Sequence, residues 1–116
     1  MALLREYKEI AYQWGIWKTE ESPEELLALL PDPERYEQQL TLFSSPHRKL
    51  EWLSVRVLLY QLLGEEKTIE YAPSGKPHLA DSSYFISISH TRGYVAVILS
   101  PVSEVGIDIE QYGQRV

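Results

Sequence analysis

The residue pattern changes at Gly64, and this change restricts the chain to folds that combine one long helix with a sheet. Before it, Ser45 and Pro46 open a helix that we predict to run to about Leu63, with leucines and valines along one face. Gly64 is a typical helix stop. After it the pattern is that of short strands separated by turns of hairpin length. The sequence therefore predicts an α+β fold in which an antiparallel sheet packs on the long helix.

Shorter elements precede the long helix. Residues 10–18 alternate as the residues of a strand do. A short helix through Leu30 begins at Ser22, whose hydroxyl can accept a bond from the first turn, and Glu25 can complete a capping box. The prolines on either side of Asp32 predict the end of that helix and the start of another, with Asp32 as its cap.

The region after Gly64 contains four predicted strands. They cover residues 68–72, 84–89, 94–100 and 105–110. A turn rich in Pro and Gly at 73–77 separates the first two, and short connections follow at 91–93 and 101–103. We expect one domain that spans residues 1–116.

The composition excludes several classes of partner. The formal net charge of −6 disfavours nucleic acid, which needs a basic face, although a few local cations suffice for a small phosphorylated ligand. The chain has no Cys, so disulfides and thiolate metal sites are excluded. The longest apolar run, residues 94–99, is too short to span a membrane, and the first residues do not resemble a signal peptide. We therefore expect a cytoplasmic protein without a nucleic-acid or membrane partner.

Two carboxylates, Asp108 and Glu110, form the first candidate site. In the predicted strand 105–110 they share one face, while Ile107 and Ile109 face the core. Two adjacent carboxylates repel each other unless a cation lies between them, and Mg²⁺ is a hard cation that takes oxygen ligands. Alternation alone also places acids on the exposed face of an ordinary strand, and for an isolated D-x-E pattern that is the commoner outcome.

The second candidate lies at the end of strand 84–89, where Ser89 and His90 are followed by Arg92. A hydroxyl, an imidazole and a guanidinium are groups that bind phosphate. A hydrolytic Ser–His pair is not expected, because sequence neighbours on a strand point to opposite sides. The alternative is a strand end with a surface histidine.

Three further cations are candidates for phosphate binding. Lys76 lies in the turn before Pro77, without the spacing of a P-loop. Arg48 and Arg56 are eight residues apart on the long helix, just over two turns, and therefore share a side of it. The alternatives are a solvated turn for Lys76 and surface pairs with acids such as Glu51 for the arginines.

These motifs occur in an order that resembles the Sfp-type 4′-phosphopantetheinyl transferases. That family shows G-K-P, then a strand that ends in S-H-S or S-H-T, then (I/V)-G-(I/V)-D-x-E. Here the corresponding segments are residues 75–77, 89–91 and 105–110, and they follow a helix that carries Arg56. The resemblance covers about residues 48–110, and three ordered motifs make it fairly specific.

The resemblance implies transfer of the 4′-phosphopantetheine group from coenzyme A to a serine of a carrier protein. The serine would attack the pantetheine-side phosphorus, and 3′,5′-ADP would leave. By the same resemblance the catalytic residues would be Asp108, Glu110 and His90, with Mg²⁺ bound by Asp108 and Glu110 and the 3′-phosphate by His90. The residues that would bind coenzyme A are Arg48, Arg56, Lys76, Pro77, Ser89 and His90.

The chain departs from the family pattern in two ways. Ser87 replaces a common Asn, and Thr91 replaces the common second Ser. Family members also carry a W-x-x-K-E-A-x-x-K helix, which supplies a third carboxylate and a Lys, whereas this chain ends six residues after Glu110 without it. The resemblance therefore implies the N-terminal half of a two-part pseudo-dimer fold, inactive or nearly so alone. A homodimer that imitates the two halves would follow the same plan.

Two other functions agree with the same residues. One is a non-catalytic module of this fold that binds a nucleotide or a carrier protein. The other is an acidic α+β interaction domain without a small ligand. Carriers of fatty-acid, polyketide, peptide and siderophore synthesis all remain open as partners of a transferase.

Overall fold

The structure, a computed structural model, describes residues 3–110 as an α+β fold. The helices and strands follow one another in this order: β1 (Leu3–Lys8), β2 (Gln13–Lys18), α1 (Pro23–Ala28), α2 (Glu34–Leu40), α3 (Pro46–Leu63), β3 (Ile69–Tyr71), β4 (Pro77–Leu79), β5 (Phe85–Thr91) and β6 (Tyr94–Ser100). Within this part of the chain, no helix combines the length and apolar character needed to cross a membrane.

A four-stranded antiparallel sheet forms the centre of the fold. Its strand order is β1-β2-β6-β5, and β3 and β4 form a separate antiparallel hairpin. Along β5 and β6, Ile86 pairs with Leu99 and His90 pairs with Val95. The antiparallel sheet that the sequence predicts is confirmed, while the two-part pseudo-dimer arrangement stays a prediction.

Helix α3 packs against one face of this sheet. Leu53 and Leu58 of the helix are fully buried together with Val97 of β6. Each such side chain contributes roughly 1.5–3 kcal/mol by its removal from water. The closest approach is at Gly15 of β2, where an added Cβ would lie 2.8 Å from Leu58 Cδ1. The glycine therefore lets helix and sheet meet without a gap.

The ends of the helices follow from local chemistry, with one exception. Ser22 and Glu25 form the predicted capping box of α1. Ser45 caps α3 by accepting a bond from the Arg48 amide, and the left-handed conformation of Gly64, with φ of 73°, ends that helix. The predicted cap at Asp32 is wrong. The cap position of α2 is Pro33, one residue later, and no side chain caps the helix.

The first strands also differ from the prediction. Strand β2 begins at Gln13 rather than at Ile10. Strand β1 was not predicted, because an outer strand of a sheet carries charged residues such as Arg5 and Glu6 instead of a continuous apolar pattern. Strand β4 extends the hairpin from Pro77, which the sequence placed in the turn.

The predicted strand 105–110 is wrong in a way that matters for the site. This segment follows β6 but pairs with no strand of the described part of the chain. The Ser100 hydroxyl accepts bonds from the Val102 and Ser103 amides, 3.2 Å each, and these bonds turn the chain directly after β6. Exposure still alternates along the segment, so that Asp108 is exposed and Ile109 is half-buried.

Candidate functional site

A cleft of about 470 Å³ lies between α3, the end of β5 and the β3–β4 hairpin. We call it the α3–β5 cleft. The side chains on its wall combine aromatic groups with charged ones, and they are Phe43, Arg48, Glu51, Trp52, Val55, Arg56, Tyr71, Gly75, Pro77, Ile88 and His90. Three of these carry or can carry a positive charge, and one is a carboxylate. The cleft is therefore suited to an anion, although the whole chain is acidic.

Arg56 is the most buried cation of the cleft, with 6% of its surface exposed. Its Nη2 lies 3.4 Å from the Tyr71 hydroxyl and its Nη1 lies 3.3 Å from the Trp52 carbonyl oxygen, so both partners are neutral. No carboxylate among residues 3–110 forms an ion pair with it. Burial lowers the pKa of Arg56, and the Tyr71 hydroxyl partly offsets this effect. A buried guanidinium without a counter-ion favours the arrival of an external anion.

Arg48 lies on the same side of α3 and nearer the solvent. Its guanidinium carbon lies 5.8 Å from the centre of the Phe43 ring, a cation–π arrangement. The pair with Glu51 that the sequence left open does not form, because that carboxylate binds histidines instead. Arg48 therefore adds a second positive charge to the mouth of the cleft.

His90 reaches the cleft from the end of β5. Alternate residues of this strand face α3, so His90 lies on the same side as the buried Ile86 and the half-buried Ile88. Its Nδ1 lies 3.1 Å from Glu51 Oε2. The Nε2 of His47 lies 3.2 Å from the same oxygen. One carboxylate oxygen thus holds two imidazoles.

Ser89 faces away from His90, as neighbours on a strand must. Its hydroxyl donates to Asp108 Oδ1 at 3.0 Å and accepts from the Ile109 amide at 3.2 Å. Through these two bonds a single side chain of β5 holds the segment 105–110 beside the sheet. The structure therefore brings Ser89 and Asp108 together, on the opposite side of β5 from the α3–β5 cleft.

Lys76 also lies outside the α3–β5 cleft. Its Nζ forms an ion pair with Glu104 at 2.8 Å, and both side chains are exposed. The pair borders a second pocket of about 370 Å³ between the hairpin and β5. Pro77 borders both pockets. Of the predicted binding residues, Arg48, Arg56, Pro77 and His90 surround the cleft, whereas Ser89 and Lys76 have other partners.

The predicted metal ligands Asp108 and Glu110 are both exposed, and their carboxylate oxygens are the donors that Mg²⁺ prefers. Ser89 orients one of these carboxylates. Within residues 3–110, no three acidic or histidine side chains come together as a metal site. The two carboxylates are thus the kind of donor that Mg²⁺ takes, and magnesium binding by them stays a prediction.

Sequence reasoning missed the partners that define the cleft. Tyr71 and Trp52 contact Arg56, and Glu51 contacts His90. The spacing of Trp52 and Arg56, four residues apart on a helix, was a usable signal for contact. The contact of Glu51 with His90 joins residues far apart in the chain and left no comparable signal.

The sequence similarity points to one class of protein, the 4′-phosphopantetheinyl transferases. The chain is similar to the 4′-phosphopantetheinyl transferases AcpT of Salmonella typhi and of Escherichia coli (strain K12), with 38% identity over 64 residues in each case. The match covers 54% of this chain and 33% of each relative, so the chain spans about a third of their length. No protein-family model matches the chain. The similarity supports this family and does not distinguish the Sfp type within it.

Proposed function

We propose that the protein takes part in the transfer of 4′-phosphopantetheine from coenzyme A to a serine of a carrier protein, in the manner of the Sfp-type enzymes. The observation that carries this proposal is Arg56, which is buried in an aromatic cleft and forms no ion pair with a carboxylate of the described residues 3–110. A phosphate group would supply the counter-ion that residues 3–110 do not provide, and a nucleotide would supply a ring for the aromatic wall.

Each cleft residue has a role in this proposal. The Arg56 guanidinium is a fixed fork that can donate to phosphate oxygens, and Trp52 and Tyr71 hold it in place. Arg48 adds charge at the mouth of the cleft. His90 donates to the 3′-phosphate of coenzyme A, and Pro77 borders the nucleotide. Lys76, at the neighbouring pocket, would contact the nucleotide after exchanging its partner Glu104.

The other side of β5 would hold the reacting pyrophosphate. Asp108 and Glu110 would bind Mg²⁺, which neutralises charge on phosphate oxygens when it is present. Ser89 fixes the Asp108 carboxylate through its hydroxyl. In the transfer, the carrier serine oxygen forms a bond to the pantetheine-side phosphorus, the bond to the 3′,5′-ADP oxygen breaks, and the serine proton leaves to a base. The matched relatives are about three times as long as the matched region, so we expect the transfer itself to need more than residues 3–110.

Thermal melting with coenzyme A and Mg²⁺ tests the proposal. A ligand that binds only the folded state raises the melting midpoint, and at 100 times its dissociation constant it stabilises by about 2.7 kcal/mol. We expect a larger shift with coenzyme A than with dephospho-coenzyme A, which lacks the 3′-phosphate. Arg56→Gln should remove the shift. Lys49→Gln, on the same helix but outside the cleft wall, should keep it.

Two outcomes would contradict the proposal. If neither coenzyme A nor dephospho-coenzyme A shifts the midpoint at millimolar concentration, the cleft is not a coenzyme A site. If both shift it equally, the 3′-phosphate is not bound by His90 and Arg56. A shift that survives in Arg56→Gln would place the ligand elsewhere on the protein.

A further inference from the structure

We propose that Glu51 is a positioning residue, which fixes the His90 ring so that its Nε2 donates to the phosphate group in the α3–β5 cleft. The inference rests on the proposed function and adds a residue that the sequence motifs do not contain. Its basis is the 3.1 Å contact between Glu51 Oε2 and His90 Nδ1 at the wall of the cleft.

The donor and acceptor chemistry of the three groups sets the role of each nitrogen. An ionised carboxylate only accepts hydrogen bonds, so Nδ1 of His90 must be the donor toward Glu51. A phosphate oxygen likewise only accepts, so Nε2 must carry a proton when the cleft is filled. The ring that bridges Glu51 and a phosphate therefore carries both protons. A carboxylate that fixes an imidazole through one nitrogen in this way is familiar from metal-binding histidines.

Glu51 is well placed to fix the ring. It sits within the 18-residue helix α3, and its side chain is 24% exposed, whereas those of His90 and His47 are 57% and 59% exposed. Of the three side chains, that of Glu51 is therefore the least exposed to solvent. His47 binds the same Oε2 from four residues earlier on α3 but does not border the cleft. A substitution of His47 therefore tests whether loss of any imidazole contact with Glu51 changes ligand binding.

For the removal of the Glu51 charge, a positioning role and a purely electrostatic role predict opposite changes in anion binding. Glu51 borders an anion cleft, so a purely electrostatic effect would strengthen anion binding when its negative charge is removed. If Glu51 instead holds His90, Glu51→Gln should weaken coenzyme A binding by about fivefold, because the charge-assisted hydrogen bond to the His90 ring becomes a neutral one of about half its strength. His47→Gln should leave the affinity within about twofold. Both variants are nearly isosteric changes at partly exposed positions, and their melting curves will show that they fold.

The test combines calorimetric titration with coenzyme A and nitrogen NMR of the His90 ring. In the wild type the Nδ1 resonance should report a protonated nitrogen, and Glu51→Gln should shift it, whereas His47→Gln should not. Equal or tighter coenzyme A binding by Glu51→Gln, or an unchanged His90 spectrum, would overturn the inference while leaving the proposed function intact.

Titration with sulfate separates the two proposals, because sulfate is an oxyanion that does not change protonation near neutral pH. Sulfate binding that depends on Glu51, without coenzyme A binding, would support the positioning role and contradict the proposed function. Absence of binding by both ligands would overturn both.

Discussion

The guanidinium carbon of Arg56 lies 3.9 Å from the centre of the Trp52 ring. Trp52 in turn meets Tyr36 edge-on, with ring centres 5.9 Å apart, and Phe43 at 6.0 Å. The cation is therefore held by an aromatic wall that contributes attraction without neutralising the charge. Its two hydrogen bonds, to the Tyr71 hydroxyl and to the Trp52 carbonyl oxygen, also leave the charge unneutralised.

Replacement of Arg56 by Met should separate stability from binding. Met keeps much of the volume and removes a buried charge, so the lost cation–π contact is offset by a smaller desolvation cost. We expect the free energy of unfolding, measured in urea, to change by no more than about 1 kcal/mol. Stabilisation by coenzyme A should vanish. A large loss of stability in the absence of ligand would show that the guanidinium mainly supports the fold.

Removal of the Ser89 hydroxyl should release the segment 105–110. Ser89→Ala deletes the bond to Asp108 and the acceptor of the Ile109 amide. We expect the Ile109 amide to exchange with solvent about fivefold faster, which corresponds to one lost hydrogen bond, and the Mg²⁺-dependent part of coenzyme A binding to decrease. Ser87→Ala, on the same strand, should change neither. Unchanged exchange at Ile109 would mean that other contacts hold the segment.

An alanine at position 15 should crowd the Leu58 and Leu62 side chains where α3 packs on the sheet. The new Cβ would lie 2.8 Å from Leu58 Cδ1 and 3.2 Å from Leu62 Cδ2, closer than carbon atoms pack. We expect Gly15→Ala to cost about 1–3 kcal/mol in urea unfolding. Gly106→Ala is the matched control, since its Cβ would meet no atom within 4 Å. Equal effects of the two changes would contradict close packing at Gly15.

The stability of the fold should fall at alkaline pH through Tyr36. Burial raises the pKa of Tyr36 above its ordinary value of 10.0, and the hydrogen bond to Glu66 adds to the shift. Above pH 10 the unfolded chain loses this proton while the folded chain keeps it, so the stability present below pH 10 decreases as the pH rises. Tyr36→Phe should reduce that decrease, measured by urea unfolding between about pH 9 and 11. An unchanged pH dependence in the variant would contradict the assignment.

Local chemistry explains which elements were predictable. The hydroxyl of Ser45 and the left-handed Gly64 mark the ends of α3 in the sequence itself. The cap at Asp32 failed, although its residue type was right, because the cap position of α2 is Pro33. The caps at Ser22 and Ser45 were predictable because their hydroxyls form the capping bonds, whereas no side chain caps α2.

Long-range contacts explain what was not predictable. The alternation of residues 105–110 is present in the exposure of their side chains, but ladder pairing depends on where the chain travels after Ser100. The arrangement of the candidate site was likewise not predictable from the order of its residues. Sequence order placed Ser89 and His90 together as phosphate ligands, whereas the strand directs them to Asp108 and to Glu51 on opposite sides.

The adjacency of Ser89 and His90 has a consequence for ligand choice. Ser89 contacts Asp108 on one side of β5, and His90 contacts Glu51 on the cleft side. The two residues are consecutive, so their Cα atoms are about 3.8 Å apart. Both residues pair with β6, Ser89 with Ala96 and His90 with Val95, which keeps their side chains on opposite faces of the sheet. The end of β5 thus sets a short distance between the two groups that would bind a ligand. Under the proposed function, this separation would favour nucleotides whose phosphate groups are spaced to reach both sides of a single strand.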